Sequence, residues 1–324
     1  MKSWLRHLGI GLATSLTLAA PSHADTFPSK PIRLIVPFPA SGATDLLARA
    51  IAQKVGQNLG QQIVVDNRPG AGGAIGSDMA AKAAPDGYTI LIATTSTHSI
   101  GPYINTHLPY NTETDFTPIG QVATATNVLV VPNQLPVKNV KELIDYARKH
   151  PGELNYASSG NGTVVHLTAE AFKAQAGVFI THIPYRGTAL AVPDLISNKV
   201  QVLFDSIVSG MPHVKDGKLK ALAVTSLKRS PLAPDLPTVS ESGLPGFESD
   251  TWFGIYGPKG LPPEIVSRLN AEFNKAIQSQ DVKDRLAKLG AEPVGGTPAQ
   301  FAAMVKKDSA RWGKLIKDRK IQVD

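Results

Sequence analysis

The sequence contains no cysteine, which excludes disulfide staples, thiolate nucleophiles and cysteine-ligated metals. Such a chain suits an oxidising compartment, where a free thiol is a liability. Aromatic residues are scarce, at 6%, and lysine and arginine are scattered. A nucleic-acid surface needs a basic stripe with interleaved aromatics, so no nucleic-acid partner is expected. The one basic gathering, from Lys306 to Lys320, reads as the solvated face of a last helix. G-x-S-x-G, H-E-x-x-H and the P-loop lysine are all missing. The eight histidines never fall at ligand spacing, so no metal and no cofactor are expected, and a hydrolase is unsupported. Beyond the first two dozen residues no apolar run approaches the ~20 residues of a membrane span.

What is present begins with a leader. Lys2 and Arg6 form a positive start, Leu8 to Ala20 is apolar, and Ser22-His23-Ala24 offers a small-x-small cleavage pattern. Residues 1–24 read as a signal peptide, with the mature chain starting near Asp25 and exported to the periplasm. Removing Lys2 and Arg6 lowers the formal charge from +7 to +5, since no acidic residue precedes Asp25. The rest, in a chain of 324 residues that is 42% apolar, suffices for two ordinary domains.

The organising stretch is Val36-Pro37-Phe38-Pro39-Ala40-Ser41-Gly42-Ala43-Thr44-Asp45. Ile32 to Val36 before it is β-branched and apolar, a buried strand. Ala43 to Leu59 after it carries Leu46, Leu47, Ala50, Ile51, Val55 and Leu59 at helical spacing. Small residues at a helix start leave amide donors open to a carboxylate. The plainer reading is a strand-to-helix turn capped by Ser41.

Strand and helix then alternate, which argues for a parallel α/β sheet. Phe116 to Val131 reads as two strands split by polar Thr124-Ala125-Thr126-Asn127, one leaving a first domain and one opening a second. A second α/β series follows: helix Val140 to Lys149, helix Val164 to Ala176, strand Val200 to Asp205 and others between. A strand from Lys218 to Ser226 returns the chain. Arg229 to Gly260, dense in proline and glycine, reads as a long crossing loop with a short strand near Trp252 to Tyr256. Helices Pro263 to Gln278, Asp281 to Leu289 and Pro298 to Arg319 close the chain. The layout is a hinged pair: a discontinuous domain of residues 25–125 plus 226–324, and a second of 126–225.

Other turns could face the same crevice. Ser158-Ser159-Gly160-Asn161-Gly162-Thr163 is the second domain's strand-to-helix turn, and with the first it would form a pincer for carboxylates. Tyr185-Arg186-Gly187-Thr188, Asp205-Ser206 and Thr94-Thr95-Ser96-Thr97-His98 end strands, where ligands gather in open α/β sheets. Asp205 orients a ligand hydroxyl, ammonium or water, or else caps the next helix. Gly70-Ala71-Gly72-Gly73-Ala74-Ile75-Gly76 fails the dinucleotide fingerprint because Ile75 stands where its third glycine belongs. It is either a glycine-rich wall or a close-packed helix start.

Taken together, several segments resemble the Bug family, the extracytoplasmic receptors of tripartite tricarboxylate transporters. They are Pro31 to Asp45, Val65-Asp66-Asn67-Arg68-Pro69-Gly70-Ala71-Gly72-Gly73, Ala84-Pro85-Asp86-Gly87-Tyr88-Thr89, Tyr156 to Thr163, His182 to Gly187 and Leu236-Pro237-Thr238-Val239-Ser240-Glu241-Ser242-Gly243. The match runs in order over the mature chain. The resemblance implies a two-domain type II periplasmic binding fold, a Venus flytrap, and a receptor rather than an enzyme. It implies a grip on a dicarboxylate, amino acid or aromatic carboxylate through Phe38, Ala40, Ser41, Gly42, Thr44 and Asp45 from the first loop. Thr95, Ser96, Ser158, Asn161, Thr163, Tyr185, Gly187 and Asp205 would complete the cleft. Ser41 stands where many relatives carry a second glycine. The implied partner is an inner-membrane permease pair, and a monomer is expected. The rival readings are a ligand-sensing adaptor for a membrane signalling protein, and a hydrolase or decarboxylase on the same fold.

Overall fold

A computed structural model of the protein describes residues 27–105, 107–319 and 321. The expected leader, residues 1–24, lies outside the described residues. Ile32–Val36 (β1) is buried at Ile32, Leu34, Ile35 and Val36, as a β-branched run between two layers must be. Helix Ala43–Leu59 (α1) lays Leu47, Ile51 and Val55 on it, each 2% exposed or less. Each such burial contributes about 1.5–3 kcal/mol. Gly60, at φ +70°, ends this helix in a left-handed turn that a side chain would strain. Strand Ile63–Asn67 (β2), helix Ala74–Ala81 (α2) and strand Thr89–Thr94 (β3) follow. Both strands flank β1 in parallel. The chain then winds through Thr95–Ile100 into the short helix Gly101–Ile104 (α3).

The next element differs from the expected pair of strands. Phe116–Pro132 (β4) is one 17-residue strand. The polar segment stays in the sheet because its side chains find partners there. Thr126 Oγ1 accepts from Ser226 N at 3.0 Å, and Asn127 Nδ2 donates to Ser249 O at 2.9 Å. Composition alone made the segment look like a break, yet Thr126 and Asn127 both find partners.

Helix Val140–Lys149 (α4), strand Asn155–Ser158 (β5), helix Val164–Ala176 (α5), strand Thr181–Pro184 (β6) and helix Thr188–Ile196 (α6) come next. Strand Val202–Ser206 (β7), helix Ile207–Lys215 (α7) and strand Leu219–Val224 (β8) complete that half. Strand Asp250–Pro258 (β9) returns to the first half. Helices Pro263–Gln278 (α8) and Gln280–Leu289 (α9), strand Glu292–Pro293 (β10) and helix Pro298–Arg319 (α10) pack back on it.

The sheet runs β2-β1-β3-β9-β4-β7-β5-β6, with β8 and β10 also on β4. It is mixed, not parallel throughout. β9 is antiparallel to both β3 and β4, and β4 is antiparallel to β7 and β8. The expected short strand near Trp252 is thus a nine-residue central strand, whose Gly254 leaves room for the ring of Phe301 from α10. One apolar cluster runs from β1, β3 and α1 through to Ala157, Val164, Leu195 and Leu203, and a second packs β5 and β7 against α4 and α5. The ends of β3 and β7 and the turns after β1, β5 and β6 line one shared space.

Candidate functional site

The loop from β1 to α1 is held from behind. Ser41, exposed and at φ +65°, donates its N–H to Asp45 Oδ2 at 2.9 Å. Asp45, 2% exposed, also accepts from Arg49 Nε at 2.9 Å and Asn67 Nδ2 at 3.0 Å. Burial works to raise its pKa, but these donors win and hold its carboxyl below the usual range. Asn67 Nδ2 donates in addition to Phe38 O at 3.1 Å. With Asp45 occupied in this way, α1 starts at Gly42 with no side-chain cap.

Gly42 and Thr44 line an inner cavity of about 60 Å³, with Phe38 beside them. One water needs ~10–15 Å³ on the same measure, so the space takes a small guest or several waters. The opposite wall is Gly187, Thr188 and Ala189 from the start of α6, and Asp205 and Ser206 from the end of β7. Helix α6 starts at Gly187 and α7 at Ser206, again without a side-chain cap. Three helix N-termini therefore meet one cavity. Each leaves amide donors unsatisfied and carries roughly half a positive charge.

Asp205 is the only ionisable side chain on the inner wall among the described residues. Burial pushes its carboxyl up to about 6, while Ser209, Thr188 and the Ser206 N–H pull the other way. Ser206 N donates to Oδ1 at 2.8 Å, and Oδ2 is sealed from solvent without a well-formed hydrogen bond.

An outer cavity of about 260 Å³ shares Phe38 and Ser159 with the inner one. Gly70 to Gly73 line it from one half, and Gly160, Asn161, Tyr185 and Arg186 from the other. A β-carbon on Gly72, at φ +65°, would stand 2.8 Å from Asn161 O, so the halves touch there. Gly76 is instead a close-packed helix start against Arg68 O and Pro37. The glycine-rich segment serves both readings, at different residues.

The expected residues sort by place. Phe38, Gly42, Thr44, Ser96, Gly187 and Asp205 reach the inner wall, and Asn161 and Tyr185 the outer one. Ala40 and Ser41 are exposed on the loop, off both walls. Thr95 Oγ1 accepts from Trp252 N at 3.0 Å and ties β3 to β9. Ser158 is fully buried, its Oγ taking Gly160 N at 3.1 Å and lying 2.7 Å from His182 Nε2. Thr163 caps α5 by accepting from His166 N, and also donates to Gly160 O at 2.8 Å. Ser96 Oγ accepts from Val164 N at 2.9 Å, closing the same helix start from the other half. The helix starts at Gly187–Ala189 and Ser206 reach the inner wall without a side-chain cap, beside Ser159, Val164 and Val165 from the turn after β5 and the capped start of α5. Tyr185 spends its hydroxyl on Asp194 Oδ2 at 2.8 Å.

Sequence reasoning missed Asn127 and Thr251 on the inner wall. Their only signal was a polar interruption in an apolar strand. His98 lies away from the cavity, 1% exposed and stacked among Phe116, Tyr110 and Tyr256. No cluster of metal-ligating side chains exists among the described residues, and none of their helices is long and apolar enough to cross a membrane.

Known proteins share this fold. Protein BugT of Bordetella pertussis is 38% identical over 319 residues, covering 98% of each chain. The structure of R. palustris Rpa4515 with adipate is 39% identical, with a TM-score of 0.89 over 91% of this chain and 99% of that one. MatC from Rhodopseudomonas palustris with bound malate is 34% identical, with a TM-score of 0.86 over 90% and 100%. These folds are two-domain periplasmic binding proteins, and the family consists of receptors rather than enzymes. The profile of the tripartite tricarboxylate transporter family receptor matches residues 47–321, and the chain belongs to that family, the Bug receptors.

Proposed function

We propose that this receptor captures a small organic carboxylate in the periplasm and presents it to an inner-membrane permease pair. The observation that carries the reading is the convergence of three uncapped helix starts, Gly42, Gly187 and Ser206, on one cavity. A carboxylate accepts several N–H donors at once and is favoured by their combined dipoles. Adipate and malate, named with two of its structural relatives, are small carboxylates of the class that such a cradle suits.

Residues 25–125 plus 226–324 form one lobe and residues 126–225 the other, hinged at Thr126–Asn127 and Thr225–Asp250. The cradle is complete only when the lobes close, because α1 belongs to the first and α6 and α7 to the second. Ligand therefore draws the closed state out of an open–closed equilibrium. The leader at residues 1–24 directs the chain to the periplasm.

A thermal-shift panel of adipate, malate and benzoate tests the reading. A ligand at 100 times its Kd adds about 2.7 kcal/mol of stability. A clear rise in Tm with at least one of them, absent with glucose or a polyamine, is the expected result. A flat panel of carboxylates overturns it.

A further inference from the structure

The cradle for an anion holds no cation. Among the described residues of the inner wall there is no lysine, arginine or histidine, and the single ionisable group is a carboxyl, Asp205. Resting on the reading of this cavity as a carboxylate site, we propose that the ligand is bound as an anion together with one proton. Asp205, on the wall of the cavity, carries that proton.

The surroundings of Asp205 force the choice. It is 2% exposed, and its Oδ1 is taken by the Ser206 N–H at 2.8 Å. Oδ2 has no well-formed partner, and a β-carbon built on Gly210 of α7 would stand 3.8 Å from it and 2.8 Å from Val128 Cγ1. Facing the carboxyl are Ser206 on its own strand, Val128 across the pair on β4, Thr188 from α6, and Ser209 and Gly210 from α7. None of them is charged or titrates near neutrality. An ionised Asp205 and an ionised ligand would therefore share a closed, weakly polarisable space with nothing but amide dipoles between them. Like charges in one site do not both stay ionised, and the group already pushed upward by burial takes the proton.

The proton comes from solvent, so receptor, anion and H⁺ combine in one step. The ligand class follows. A carboxylate whose other end is apolar, hydroxylated or a second acid requires Asp205 to be neutral. An amino acid would instead place its ammonium against ionised Asp205 and take up no proton.

The sign of the pH dependence is fixed by this linkage. Asp205 titrates higher in the complex than in the free receptor, where burial holds it at about 6. Affinity is complete below that value and falls by up to about tenfold per pH unit above it, until the pKa of the complex is reached.

Calorimetric titration of the full mature chain with adipate, malate and benzoate, between pH 6.5 and 8.5, tests this. At pH 7.5 the binding enthalpy is measured in two buffers of different ionisation enthalpy. Close to one proton taken up per carboxylate bound, with Kd rising with pH, is the expected result. Asp205→Asn, which cannot titrate, should lose both the buffer dependence and the pH slope. Tight carboxylate binding with no proton uptake overturns the inference and leaves the carboxylate reading standing. So does an Asp205→Asn variant that keeps the slope. If none of the three carboxylates binds at any pH, both readings fall. Should the variant not fold, the enthalpies of the natural chain decide by themselves.

Discussion

Gly187 leaves vacant the space that Pro39 fills: a β-carbon built on Gly187 would stand 2.7 Å from Pro39 Cγ. The two residues sit on the loops that start α6 and α1, one in each half of the molecule. Their contact brings two uncapped helix starts to the same cavity.

Gly187→Ala should therefore hold the halves apart. Gly187 adopts φ +142°, a region nearly closed to other residues, at a cost of about 1–3 kcal/mol before any clash with Pro39. Adipate affinity should fall at least tenfold, and small-angle scattering with adipate present should report a larger radius of gyration than for the natural chain. Pro39→Gly in the same background should restore part of the loss, and a double-mutant cycle with no coupling would contradict the contact.

Gly42→Val tests the cradle without the backbone penalty. Gly42 has φ −80°, and a β-carbon there would meet only Pro39 O, at an ordinary 3.4 Å. The isopropyl group should occupy the wall of a cavity of about 60 Å³. Stability without ligand should stay within about 1 kcal/mol, while carboxylate binding is lost. Unchanged affinity in calorimetry would place the ligand elsewhere.

His98 predicts acid sensitivity far from the cavity. Its ring is buried among aromatic side chains, which lowers its pKa to about 3. The unfolded chain binds this proton near pH 6.5 and the folded one does not. Its share of stability is thus complete above about 6.5 and shrinks as pH falls, by on the order of 3 kcal/mol at pH 4. His166 and His182, both lowered to about 4 by burial, act in the same direction. Asp205 and Asp250, raised by burial, act in the opposite one, so the natural chain alone does not isolate the effect. His98→Phe keeps an aromatic ring in the stack and should flatten the fall in denaturant-measured stability between pH 6.5 and 4. An equal slope in both proteins would refute the assignment.

Local patterns were legible wherever the signal was periodic. Ala43–Leu59, Val140–Lys149, Val164–Ala176, Pro263–Gln278 and Pro298–Arg319 are helices with the bounds their spacing predicts. The continuity of β4 was not legible, because Thr126 and Asn127 look like a linker until Ser226 and Ser249, about a hundred residues away, supply their partners. The capping of the second turn was hidden for a related reason. Ser158–Thr163 has the composition of an anion-binding turn, but Thr163 and the distant Ser96 satisfy that helix start.

The sequence by itself determined the alternation of strands and helices, the family, and the strand-to-helix turn at Gly42 that lines the cavity. Each of these is written in neighbouring residues, through spacing and through small side chains at a helix start. Tertiary structure alone decided which helix starts remain uncapped, and that a lone carboxyl shares their cavity without a cation. Whether an amide or a carboxyl is satisfied depends on groups brought near by folding, and those groups lie tens of residues away along the chain.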